Sequence, residues 1–197
     1  MKRTHLLIAA AAGFLMAKPV LADDTTEAKN DADEALVEFR VAERLGSAQA
    51  RGYVGATLVK LDRPEQAVEA FEAPGAPAPG DDALLDYYHA LACHEARLYL
   101  RADRLLETIG ARAGPRIGEL ARQVRADIAA ALASPPSRAA IDWYLARCDD
   151  NAAGHAALAR AQCEEAAALG ARRADRYGVA EAHSRAERLK PARAEAR

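Results

Sequence analysis

Residues 53–71 read YVGATLVKLDRPEQAVEAF and residues 88–106 read YHALACHEARLYLRADRLL, and the two stretches stand 35 residues apart. Tyr53, Gly55, Ala67 and Phe71 of the first return as Tyr88, Ala90, Ala102 and Leu106 of the second. A small residue on one helix, a second small residue twelve positions later and a large apolar residue four beyond that allow two crossing helices to approach closely. The spacing therefore predicts helical hairpins that stack side by side.

Signals on either side agree with helices. Ala32, Ala35, Leu36, Phe39, Ala42 and Leu45 follow a helical period from about Asp31, and Gly46 is a natural left-handed terminator. Ser47 can cap a helix to about Leu61, with Tyr53, Val54, Leu58 and Leu61 inward. Pro64 suits the first turn of a third helix, which the run Pro74-Gly75-Ala76-Pro77-Ala78-Pro79-Gly80 must end. Asp81 or Asp82 caps a long helix beyond that run, another follows from about Arg101 to Ile109, and Gly114-Pro115 opens one to about Ala133. Ser137 caps a helix through Trp143 to Cys148, Asp150 or Asn151 caps the next to about Leu169, Gly170 terminates it, and a last helix starts at Ala171. Alanine makes up 51 of the 197 residues, a composition that favours closely packed helices over sheet.

Aligned by these small and large positions, the segment from about Ala48 to Pro74 resembles a tetratricopeptide repeat. Val54-Gly55 stands at the pair of the first helix, Leu58 at its usual aromatic, and Ala67 and Phe71 match the second helix. Pro74 occupies a position where a small residue is usual and shortens that helix. A weaker copy runs from about Ala83 to Ile109, with Ala90, Ala102 and Leu106 in place, His89 where Leu is usual and Cys93 where an aromatic is usual. No copy in phase is legible beyond Gly110. The resemblance implies an all-α fold of antiparallel helical hairpins, stacked as a short right-handed solenoid with its repeat core at 48–110 and flanking helices as caps. It also implies a concave groove lined by Gln49 and Lys60 of the first copy and by Tyr87, Leu91, His94 and Glu95 of the second. Tyr87 is open to a second role, as a core filler beside Tyr88.

The amino terminus reads as an export signal over residues 1–22: Lys2, Arg3 and His5, an apolar run from Leu6 to Met16, and Val20-Leu21-Ala22 as the cleavage site. The apolar run is about half of the roughly 20 residues a spanning helix needs, and charges interrupt every later apolar run, so no transmembrane segment is expected after cleavage. The abundance of Ala and Arg suggests a bacterial source and makes the periplasm the expected address. Residues 23–30 are expected to be loose, 31–190 to form one helical-repeat domain, and 191–197 to be a disordered tail.

The segment from Asp23 to Gly110 holds 9 basic and 18 acidic residues, whereas Ala111 to Arg197 holds 15 and 11. Glu181, Glu187 and Glu195 break the basic C-terminal face, and no Lys/Arg cluster with interleaved aromatics occurs, so nucleic acid is not an expected partner. The expected partner is another periplasmic or envelope protein.

Three cysteines invite one disulfide and one free thiol. With a chain reversal at Asp150-Asn151, Cys148 and Cys163 would lie more than about 10 Å apart along the hairpin, so a bridge between them is not expected. Cys93 could pair with either only through tertiary contact, or stay as a buried thiol. His89, Cys93 and His94 together suggest a competing class, a redox or metal-handling protein. No Cys-x-x-Cys or His-Glu-x-x-His spacing occurs, and no nucleophile elbow or phosphate loop, so metal, cofactor and enzymatic activity are not expected. The leading expectation is a periplasmic assembly or maturation factor that works by binding.

Overall fold

A computed structural model describes residues 26–109 and 113–190. The expected signal peptide and basic tail lie outside the described residues. Among them the chain is all helical, in the order α1 (Thr26–Arg44), α2 (Ala48–Lys60), α3 (Pro64–Glu72), α4 (Ala83–Glu95), α5 (Tyr99–Ile109), α6 (Pro115–Ala131), α7 (Arg138–Asn151), α8 (Ala156–Arg172) and α9 (Arg176–Arg188). The helix α1 starts at Thr26, inside the stretch expected to be loose.

Local chemistry sets most of these boundaries. Ser47 and Ser137 accept the backbone N–H groups of Ala50 and Ala140, and the Asp82 carboxylate accepts those of Leu84 and Leu85. Pro64 and Pro115 each occupy a first turn, where no N–H is needed. The helix α3 ends at Glu72, two residues before Pro74.

Four connections share one turn. In each, the helix is followed by three residues whose middle member is left-handed: Gly46 at φ 89°, Asp62 at 57°, Arg97 at 64° and Ala174 at 58°. The next N–H then reaches back five residues, as Ser47 to Ala42 O, Arg63 to Leu58 O, Leu98 to Cys93 O and Asp175 to Gly170 O. These are Schellman turns, which close the last carbonyls of one helix and fold the next one back beside it. Asp62 and Arg97 stand 35 residues apart, in step with the sequence echo.

The helices α1 to α6 form a progressive stack, with α2 against α1, α3 and α4, and with α4 also against α5 and α6. The helix α8 crosses this stack, packing on α3 and α5 while α7 and α9 lie against it. One continuous core runs from Ala35 and Phe39 of α1, through Leu58, Val68, Tyr88 and Leu106, to Ile141, Leu158 and Ala182. At the heart of the first hairpin, a Cβ on Gly55 would lie 2.6–2.8 Å from the Phe71 ring, so close approach of α2 and α3 requires glycine there.

Three expectations are corrected in the C-terminal half. Cys148 and Cys163 are joined by a disulfide, with Cα atoms 5.5 Å apart. The helix α7 continues to Asn151, and the reversal falls at Ala152–His155, where His155 N–H bonds Asn151 O and His155 takes the N-cap position of α8. Both cysteines therefore face one another across a pivot displaced about three residues from the one the sequence suggests. Asn151 does not cap α8; its side-chain amide instead donates to Arg147 O and Gln162 Oε1. Gly170 does not terminate α8 either. It lies buried inside the helix, where a Cβ would come within 3.0 Å of Val179 Cγ2, so it serves close packing of α8 on α9.

Candidate functional site

The two Schellman turns at Asp62 and Arg97 stand side by side, and with α7 they bound an open cleft of about 420 Å³. Its walls are Asp62, Arg63, Glu65, Glu95 and Arg97, and Trp143 stands at its edge. Two bonds tie α7 to the turns: Tyr144 donates its hydroxyl to Arg97 O at 2.5 Å, and Arg147 donates to Glu65 at 2.5 Å. Tyr144 is buried, whereas Trp143 beside it is 43 % exposed, edge-on to the Tyr144 ring at 4.8 Å. Arg63 leans towards Asp33 at 3.8 Å. The side-chain carboxyl groups of Glu95 and Asp62 have no hydrogen bond or ion pair among the described residues. Glu95 is exposed as a residue, while protein around its carboxyl partly desolvates it. That local burial, with the like charge of Asp62, raises its pKa to about 7.

The residues expected to line a groove are dispersed by the fold. Gln49 is exposed at the start of α2 and reaches the Tyr53 hydroxyl at 3.4 Å. Lys60 is half-buried at the end of α2, and Leu91 is half-buried against the core. Tyr87 is 2 % exposed and edge-on to Tyr88 at 5.9 Å, so it takes the core role left open beside Tyr88. His94 is half-buried against Tyr99. Of the six, Glu95 alone lines the cleft. Trp143 does not stand out in the sequence as a binding residue, because nothing there ties α7 to turns some 45 and 80 residues earlier. Its signal was its place on the exposed side of α7, between inward-facing Ile141 and Tyr144.

A second cluster lies inside the molecule, where α3, α4, α5 and α8 meet. Glu72 accepts from His89 Nε2 at 2.7 Å and, with both oxygens, from the Arg101 guanidinium at 2.7 and 2.5 Å. Arg101 also donates to Glu164 at 2.6 Å, and Arg160 approaches Glu72 at 3.7 Å. Burial of Glu72 would raise its pKa, but the His89 hydrogen bond and the Arg101 charge outweigh it and hold the carboxyl at about 2. The neighbouring Glu165, 1 % exposed, reaches from α8 to accept the N–H groups of Leu100 and Arg101 at 2.7 and 3.1 Å. It caps α5 across the tertiary interface, and burial raises its pKa in spite of those bonds. Glu69 does the converse, accepting Leu158 N–H of α8 at 2.7 Å. These exchanges fasten α8 to the stack through partners 63 to 89 residues apart in sequence.

Glu72, His89 and Cys93 bring their donor atoms within 4.8 Å of one another, close enough to hold a metal ion. His94 is not part of the group. Both Glu72 oxygens are already engaged by His89 and Arg101, and a cation would have to displace a buried guanidinium. The Cys93 thiol is fully buried, and burial together with the Glu72 charge pushes its pKa well above the ordinary range. The thiol is therefore neutral and shielded, unlike a reactive cysteine. As it stands, the cluster is a closed hydrogen-bonded network that fixes α8.

No protein-family model matches the chain, and neither a curated protein nor a solved structure matches it. Among the described residues, no helix is long and apolar enough to cross a membrane.

Proposed function

We propose that this protein is an exported helical-repeat adaptor, which recruits or helps to assemble another periplasmic or envelope protein by holding a segment of it. The reading treats α2/α3 and α4/α5 as two repeats of tetratricopeptide type, with the other helices as caps. The observation that carries it is the recurrence of one turn at Asp62 and Arg97, 35 residues apart, which sets two hairpins edge to edge beside a cleft with an exposed tryptophan. Exposed aromatics in a cleft supply much of the binding energy at protein interfaces. A disulfide supports an oxidising destination and so the export reading. The mechanism is binding and positioning, with no bond made or broken.

The test is capture from periplasmic extract with the tagged chain. Trp143→Ala is expected to lower recovery of a specific partner about tenfold, a loss of about 1.4 kcal/mol, while leaving circular dichroism unchanged. Capture that is indifferent to Trp143→Ala refutes the cleft as the binding surface. Export is checked by fractionation, and full-length protein retained in the cytoplasm overturns the address.

A further inference from the structure

Five charged residues line the cleft, and their pairing leaves an imbalance. Glu65 is neutralised by Arg147, and Arg63 leans away to Asp33. Asp62 and Glu95 remain against one cation, Arg97, and the two carboxylates are close enough for Asp62 to oppose ionisation of Glu95. Beside them stands Trp143, 43 % exposed, in a space of about 420 Å³ that admits a long side chain. The Asp62 carboxylate and the Glu95 carboxyl, about half ionised near neutral pH, complement a planar cation beside the indole: a guanidinium favours the ionised form of both, bonds them through its fork and stacks on the ring.

We infer that the cleft between the Asp62 and Arg97 turns receives an arginine side chain of the partner polypeptide, its guanidinium between Asp62 and Glu95 and its stem against Trp143. The inference rests on the adaptor reading and specifies what the adaptor recognises. The chain offers a direct reporter, because Trp143 is its only tryptophan.

The experiment titrates the purified protein with a glycine–serine peptide carrying one central arginine, followed by Trp143 fluorescence. The same peptide with citrulline, which keeps the shape and removes the charge, is the control. The arginine peptide is expected to give a saturable emission change and to bind at least tenfold more tightly than the citrulline peptide. Glu95→Gln and Asp62→Asn are each expected to weaken it about tenfold, and Arg97→Ala to tighten it, with circular dichroism confirming the fold of each. Equal responses to arginine and citrulline, no response, a preference for a glutamate peptide, or indifference to Glu95→Gln each overturn the assignment. If the peptide result is negative while Trp143→Ala still abolishes partner capture, the arginine assignment falls and the adaptor reading stands. If capture is also unaffected, both fall.

Discussion

Glycine 55 and Phe71 occupy positions that return 35 residues later as Ala90 and Leu106, so the two hairpins trade volume between the same two sites. A double-mutant cycle tests that trade. In Gly55→Ala the new Cβ would lie 2.6–2.8 Å from three atoms of the Phe71 ring, which is 8 % exposed and has little room to retreat. Overpacking of this kind costs about 1–3 kcal/mol, and the helix propensity of Ala over Gly returns roughly 1 kcal/mol, so the single variant is expected to be destabilised by up to about 2 kcal/mol. Phe71→Leu keeps an apolar side chain but leaves a gap, at a cost of about 1–1.5 kcal/mol. In the double variant the clash and the gap cancel while the propensity gain remains, so its stability is expected within about 1 kcal/mol of the parent. The assay is urea unfolding of all four proteins, followed by circular dichroism, with the midpoints compared at constant slope. Additivity of the two single costs to within about 0.5 kcal/mol would refute both the contact and the reading of the echo as a traded volume.

Further expectations follow from other parts of the molecule. Ala174 holds a left-handed conformation with a Cβ, so Ala174→Gly is expected to stabilise by about 1 kcal/mol and to raise the Tm by about 2–4 °C in a thermal scan; a decrease would contradict the turn. Breaking the Cys148–Cys163 bridge, 15 residues apart, is expected to cost about 3 kcal/mol, and thiol titration of denatured, unreduced protein should find one free thiol, Cys93. Glu72 has a folded pKa of about 2, below the ordinary value of 4.5, so its contribution is fully present above pH 4.5 and is lost as pH falls towards 2. Glu72→Gln is expected to remove that part of the acid limb and to cost about 1–3 kcal/mol at neutral pH, because Arg101 keeps Glu164 as its one remaining carboxylate. An unchanged acid profile would mean that the network is not formed.

The N-terminal hairpins were legible because their determinants are local. Ser47 and Asp82 cap through backbone groups two or three residues away, and Pro64 acts on its own turn. The C-terminal hairpin was not legible, although it closes with the same turn. Its contact keeps the order of sizes, with Gly170 on the first helix and Val179 on the second, but the two stand 9 residues apart where Gly55 and Phe71 stand 16 apart, so a search at the spacing of the echo passes over it. The Cys148–Cys163 bridge is hidden in the sequence for a related reason: a displacement of about three residues in the pivot shifts the two helices by more than a turn relative to one another, and Asp149-Asp150-Asn151 carries a capping composition while lying inside α7.

The sites divide along the same line. Apolar period, caps and breakers act over a few residues, which is why an all-helical chain with antiparallel hairpins can be read from residue order alone. The cleft needs Asp62, Glu95 and Trp143 in one place, and the buried network needs Glu72, His89, Arg101 and Glu165; each is assembled by α7 or α8 folding back over the stack. Those contacts join residues as much as 89 apart, and their free energy comes from desolvation and charge pairing that exist only once the helices have packed. Residue order specifies the pieces because they are local, and packing assembles the proposed binding surface because its groups have no local reason to meet.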